Sequence, residues 1–247
     1  MTRARARVAP QGAQQLFAFE KKRKRSRHWG KPGPKPAPER AGFLPHRKRP
    51  EHDESHPVLV TARCVANLPS LRSQILVRAI TAQLGRGIRR GIRVVQYSMQ
   101  DNHLHMIVEA DDRTKLARGM QWLLSRIAFE VNRLALRSGR VFRDRNHRQA
   151  IINPTQMRRA LAYVLLDWRK HRLQKGDPIF HVIDRIDECS SASWFQGWSP
   201  DFAPPSDLLA RVRAGPCVRP ATPKTWLARG GWTRGGGPIR FDELLRP

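Results

Sequence analysis

The sequence predicts an α+β fold, one antiparallel sheet with helices packed on it and basic, irregular tails at either end. Three observations predict it. Short apolar runs of strand type recur at 56–63, 92–100, 103–110 and 148–153, and helical apolar spacing separates them at 71–84 and 113–137. No apolar run reaches the roughly 20 residues that a bilayer span needs.

The chain opens on charge. Residues 1–50 hold 15 Lys or Arg against two acids, Glu20 and Glu39. The run KKRKRSR and the Pro-rich KPGPKPAPER behind it cannot bury a core. Residues 1–55 are therefore expected to be a disordered basic arm, attracted to phosphates without reading bases. A solvated tail without a specific role fits the same composition.

From His56 the pattern changes. HPVLVTAR reads as a strand. SLRSQILVRAITAQL places apolar residues at helical spacing from Leu71 through Ile75, Leu76, Ala79 and Ile80 to Leu84, and a Gly/Arg turn from Gly85 to Gly91 ends it. IRVVQYSMQ is a second strand, joined by the short turn Asp101–Asn102 to a third that begins at His103; the two should form a hairpin. Residues 113–137 read as a long helix with Leu116, Met120, Leu123, Leu124, Ile127 and Leu134 on its core side. RQAIIN is a fourth strand. Asn153-Pro154 then looks like an N-cap with proline at the first helical position, opening the helix that carries Tyr163.

The order is βαββαβ, the ferredoxin-like arrangement in which helices cover one sheet face, with one added helix. It divides the chain into the arm (1–55), a catalytic-type domain (56–175) and a Trp/Gly/Arg-rich C-terminal extension (176–247). That extension, with SSASWFQGW and TWLARGGWTRGGGPIRFDELL, suits base stacking or a packing wrap that buries Trp194, Trp198, Trp226 and Trp232; packing is favoured, because four tryptophans in water invite aggregation. The Gly run 235–237 lacks the Lys-Ser or Lys-Thr ending of a phosphate loop.

A net charge of +27 and a pI near 11.6 make nucleic acid the default partner. An acidic membrane surface is the rival, and the absence of a spanning run or a signal-type segment weighs against it. Cys64, Cys189 and Cys217 are widely spaced and form no CxxC pair, which argues against a disulfide framework or a zinc ribbon and suits a reducing cytoplasm, where a DNA partner would make the expected location nucleoid-associated.

The chemistry concentrates in NHLHMIVE. Side chains alternate along a strand, so His103 and His105 share a face roughly 7 Å apart along it, a spacing that lets two imidazoles grip one divalent ion. Exposed or hydrogen-bonded histidines are the plain alternative. Only two tyrosines exist, Tyr97 and Tyr163. Tyr97, in a strand, is expected to pack. Tyr163 lies off the apolar stripe of its helix (Met157, Leu161, Val164, Leu165, Trp168), with Asp167 one turn on and on the same face. Asp167 suits a hard-cation ligand or a surface acid pairing with Arg159, Lys170 or His171. Arg143, Arg145, His147 and Arg148 form a basic loop, and Arg169, Lys170, His171 and Arg172 follow Tyr163; both groups suit a DNA backbone or a plain solvated surface. Glu109 reads as an exposed strand-end acid or as a group orienting an imidazole.

NHLHMIVE, FRDRNHR and AYVLLDWRKH, in that order and spacing, resemble the HUH single-strand DNA transposases. Within them the likeness is to the one-tyrosine group that includes the REP-associated tyrosine transposases, over about residues 56–175. The resemblance implies a transposase-type endonuclease and strand transferase acting on single-stranded or hairpin DNA. Tyr163 would be the nucleophile, forming a 5′-phosphotyrosine, and His103, His105 and Asp167 would hold Mg²⁺ or Mn²⁺. Asp167 stands where the family commonly has an amide residue. The resemblance further implies a monomer or a homodimer with no membrane partner. The rival classes are a non-cleaving hairpin DNA- or RNA-binding protein and a metallohydrolase in which Tyr163 is structural.

Overall fold

In the computed structural model, which describes residues 51–244, β1 (Val58–Arg63), α1 (Gln74–Arg86), β2 (Ile92–Met99), β3 (His103–Ala110), α2 (Arg113–Leu134) and β4 (His147–Ala150) follow one another. The helix α3 (Pro154–Gln174) then brings Tyr163. The strands pair antiparallel in the order β2-β3-β1-β4, so the chain is α+β around a four-stranded antiparallel sheet. The basic arm expected over 1–55 lies, up to residue 50, outside the described residues, as do the last three residues. No helix among the described residues is long and apolar enough to cross a membrane.

Local chemistry sets the element ends. Asp112 caps α2 by accepting from the Lys115 N–H, and Asn153 caps α3 by accepting from the Gln156 N–H at 2.9 Å, with Pro154 in the first turn where no N–H is needed. Two ends differ from the sequence reading. The helix α2 stops at Leu134, three residues early, because Leu136 turns left-handed (φ 50°) and the Arg137 N–H bonds back to the Asn132 carbonyl. β4 starts at His147 rather than Arg148 and ends at Ala150, so His147 is a strand residue and not part of a loop.

β3 divides the molecule. Leu104, Met106 and Val108 point into a core shared with α1 and α2, where Leu76, Ile80, Met120, Leu123 and Ile127 are buried. Ile107, with the two imidazoles on its side, points to the opposite face. Helices therefore do not cover one face alone. The second face carries α3, through Met157, Leu161, Val164 and Leu165, together with the C-terminal segment.

A bulge in β2 decides where the other tyrosine goes. Val94 pairs with Val108 but Gln96 with Ile107, leaving Val95 as the extra residue. The parity of the strand flips there, and Tyr97 is buried in the α1/α2 core with its hydroxyl donating to the Val218 carbonyl. Tyr97 and the imidazoles lie on opposite faces.

The C-terminal segment includes α4 (Phe180–Ile183), α5 (Ser206–Arg213) and α6 (Trp226–Arg229). Phe195, Trp198, Trp232, Ile239 and Phe241 pack from it onto α3. A buried aromatic removes about 150–250 Å² from water, about 4–6 kcal/mol each before ordering entropy. Trp194 packs partly against the other core and Trp226 stays 56% exposed, so only two of the four tryptophans weighed above are fully sequestered. The Gly run has a steric role: a Cβ on Gly235 would stand 2.4 Å from the Pro154 backbone, and Gly236 and Gly237 take positive φ.

Two buried charges fasten this segment, and both correct the sequence reading. Arg169, grouped above with residues for a DNA backbone, is 1% exposed. Its guanidinium donates to the carbonyls of Phe241, Ile183 and Arg185 and stacks on the Phe241 ring, so it serves folding and is closed to DNA. Glu109 is buried, and its partners are not imidazoles. Its carboxylate accepts from the N–H groups of Lys224 and Thr225, from the Thr225 hydroxyl and from Arg93.

Candidate metal centre and tyrosine site

The site forms where β3 faces α3. In β3, alternation aims His103 and His105 at the helix. In α3, residues four apart stack along one face, which puts Tyr163, Asp167 and His171 in a column above them. In the antiparallel register, Thr61 of β1 lies opposite His105, and Arg63 opposite His103.

The contacts are close. The His105 Nε2 is 3.2 Å from the Tyr163 hydroxyl and 3.6 Å from Asp167 Oδ2, and the His105 and Tyr163 rings meet edge-on with centroids 4.7 Å apart. His171 Nε2 is 3.1 Å from the same Asp167 oxygen. The His103 ring lies 4.6 Å from that of His105 and 5.5 Å from that of His171. Two partners orient the rings: the His103 Nδ1–H donates to Asn102 Oδ1 at 2.8 Å, and Thr61 Oγ1 bonds His105 Nδ1 at 3.0 Å. Both leave Nε2 toward the site, the usual device for holding an imidazole ready as a ligand or base.

One ligand atom each from His103, Asp167 and His171 lie within 4.8 Å of one another. This tightest group contains two of the three ligands that the resemblance implies and adds His171 in place of His105, which stands at its edge. The chemistry of the set fits a divalent transition ion or Mn²⁺: two imidazoles and one hard carboxylate oxygen. Asp167 itself supplies an independent sign. The residue is 2% exposed, and its Oδ2 makes no hydrogen bond of good geometry, standing between His171 Nε2 at 3.1 Å and His105 Nε2 at 3.6 Å. Such an atom is costly to bury unless a cation meets it.

Burial keeps His103 and His105 neutral. Burial, reinforced by the neighbouring histidines, holds the His103 pKa far down. Burial likewise pulls His105 down to about 4, against the opposing pull of Asp167. Tyr163 is shifted the other way: burial first and Asp167 second raise its pKa well above the usual phenol value, and Arg63 partly offsets them.

The basic residues separate into groups. His147 is exposed on β4 and pairs with Thr61, so it lies in one cross-sheet row with His105 but two strands away, about 10 Å at the usual strand spacing. Arg143, Arg145 and Arg148 border the same sheet edge, half-buried. Arg172 is exposed at the C-terminal end of α3 and ion-paired with Asp177, and Lys170 is half-buried. The residues that the sequence reading passed over are His171 as a ligand, Arg63 as a cation on the tyrosine, and Thr61 as an imidazole anchor. The Tyr163–Asp167–His171 spacing at four and eight was a visible signal for the first. Arg63 and Thr61 needed the register.

No family model and no curated protein matches the chain. Among solved structures it is similar to a REP-associated tyrosine transposase bound to a REP hairpin, at 14% identity and a TM-score of 0.40, over 54% of this chain and 75% of that one.

Proposed function

We propose that this protein is a metal-dependent endonuclease and strand transferase of the one-tyrosine HUH type, acting on single-stranded or hairpin DNA. The observation that carries the proposal is the column Tyr163–Asp167–His171 set over His103 and His105. A phenol with an imidazole acceptor at 3.2 Å stands one helical turn from a buried carboxylate set beside imidazole nitrogens. The basic composition and the basic edge at 143–148 supply attraction to a phosphate backbone.

In the proposed reaction the Tyr163 oxygen attacks the phosphorus, its proton passing to His105 Nε2. The bond to the 3′ oxygen breaks, the departing oxygen takes up a proton, and the 5′ phosphate stays on the tyrosine. A second 3′-OH then attacks the phosphotyrosine, and the phenol recovers its proton. Arg63 lowers the cost of negative charge on the phenol, which burial and Asp167 raise. His103, Asp167 and His171 would hold Mg²⁺ or Mn²⁺, with His105 joining them only when its Nε2 is not engaged by the phenol; the ion, when bound, would polarise a phosphate oxygen and neutralise Asp167. The transposase domain is taken as 56–175 in the ferredoxin-like topology, with 176–244 fastening α3.

Incubation with labelled hairpin DNA and Mn²⁺, followed by a denaturing gel, tests the reading. A labelled protein band that disappears in Tyr163→Phe and on chelation supports it. Cleavage without an adduct in Tyr163→Phe would make the protein a metallohydrolase, and retention without any cleavage would make it a binding protein.

A further inference from the structure

His105 is 2% exposed, so a proton that it takes from Tyr163 is closed off from solvent. One ring nitrogen, Nε2, faces the Tyr163 hydroxyl at 3.2 Å and Asp167 Oδ2 at 3.6 Å. The other, Nδ1, is the way out, and it meets Thr61 Oγ1 at 3.0 Å. A hydroxyl oxygen can accept one hydrogen bond while it donates another, so Thr61 does not have to be the end of the line.

The sheet register extends that line. Thr61 stands opposite His105 of β3 on one side and opposite His147 of β4 on the other. Residues directly opposite in antiparallel strands share a face, with Cβ atoms about 4.5–5.5 Å apart, which puts an imidazole within reach of a threonine hydroxyl. His105, Thr61 and His147 thus form one row across the sheet, running from the phenol to the β4 edge, where His147 is exposed. Every member can both accept and donate a proton. The neighbouring row on the same face, Ile107–Leu59–Gln149, is broken by two apolar side chains.

We propose that His105, Thr61 and His147 form a proton relay between Tyr163 and the solvent at the β4 edge. The Tyr163 proton enters at His105 Nε2, the Nδ1 proton passes to Thr61 Oγ1, and the Thr61 hydroxyl proton passes to a ring nitrogen of His147, which releases one to water. Each group between the phenol and water gains one proton and loses one. His105 therefore ends as its other neutral tautomer, and no charge is left on a buried ring, where it would be costly. When the phosphotyrosine is resolved, the row runs backwards and returns a proton to the phenol. The relay rests on the proposed role of Tyr163 as nucleophile. Thr61 and His147 act through His105, and His147 gains a task apart from holding a DNA backbone.

Single-turnover adduct formation by the full-length protein on labelled hairpin DNA with Mn²⁺ tests the relay, with DNA retention and melting temperature followed in parallel. Thr61→Val keeps the branched shape and removes the hydroxyl. Positioned proton transfer is typically worth about 10²–10⁴-fold, so this variant should be slower by about tenfold or more, and Thr61→Ser should restore most of the rate. His147→Ala should also be slow and should recover on addition of free imidazole, because the β4 edge is open. Thr61→Val should not recover, and the wild type under the same imidazole controls for loss of metal. Ring ¹⁵N spectra of the chelated protein need no turnover: His105 should carry its proton on Nδ1, and Thr61→Val should move it to Nε2, beside Asp167. Thr61→Val at the wild-type rate, or wild-type His105 protonated on Nε2, would overturn the relay. So would a slow His147→Ala that imidazole leaves unchanged; a matching loss of DNA retention would make His147 a backbone contact. Adduct from the wild type with indifferent variants sinks the relay alone, whereas a wild type that forms no adduct sinks the cleavage reading and the relay with it.

Discussion

Replacing Tyr163 by phenylalanine should tighten divalent-cation binding while abolishing covalent adduct formation. His105 Nε2 has one lone pair. It faces the Tyr163 hydroxyl at 3.2 Å and lies 3.6 Å from Asp167 Oδ2, so a cation that recruits His105 takes the acceptor from the phenol. A typical internal hydrogen bond is worth about 0.5–1.5 kcal/mol net. This one is longer than the roughly 2.7–2.8 Å preferred by hydroxyl donors, which puts it in the lower half of that range. Removing the competitor should therefore strengthen Mn²⁺ binding roughly twofold to fivefold, since 1.4 kcal/mol is about tenfold. Protons do not blur the comparison near neutral pH, because burial holds His105 down to about 4. Phenylalanine keeps the ring that packs edge-on against His105. Calorimetric titration of Mn²⁺ into both proteins measures the difference, with His103→Ala as the variant that must weaken binding. Equal or weaker binding by Tyr163→Phe would refute the competition and remove His105 from the ligand set.

Three further outcomes are expected. His171→Ala should weaken Mn²⁺ binding by about 10-fold or more, since one of three close donors is lost; unchanged calorimetry would show that His171 only pairs with Asp167. The chelated protein should lose stability in mild acid: the folded state holds His105 near 4 and His103 lower still, the unfolded chain takes up protons below about 6.5, and stability therefore falls as pH drops through 6.5 toward 4. Flat denaturant midpoints over that window would contradict it. Glu109→Ala should cost about 2–3 kcal/mol in urea unfolding, because it leaves the N–H groups of Lys224 and Thr225 without their acceptor, while Arg93 keeps Asp111. A loss under about 1 kcal/mol would mean that water replaces the carboxylate easily.

Much of the site was legible because its spacings are local. His103 and His105 are two apart on a strand, Tyr163 and Asp167 four apart on a helix, and each pattern fixes a shared face without knowledge of the rest of the chain. The cap at Asn153-Pro154 was equally local and stands as read. Arg169 shows where that reasoning ends. A basic residue two positions after an acid looks like surface charge, yet its environment is made by carbonyls 14 to 72 residues away, and the result is a buried clamp. Glu109 fails for the same reason, since its partners at 224 and 225 lie far along the chain.

The sequence by itself determined the charge, the βαββαβ order of elements and the faces on which the imidazoles and the phenol lie. These follow from composition and from the periods of strand and helix, which depend only on near neighbours. The tertiary structure alone decided three things. The pairing of β1 with β3 set Thr61 and Arg63 against the histidines. The bulge at Val95 sent Tyr97 to the opposite core and left Tyr163 as the phenol at the site. The packing of 176–244 on α3 and the sheet enclosed a cavity beside the cluster. Register, strand parity and enclosure arise from contacts between segments remote in sequence, where no local period carries the information.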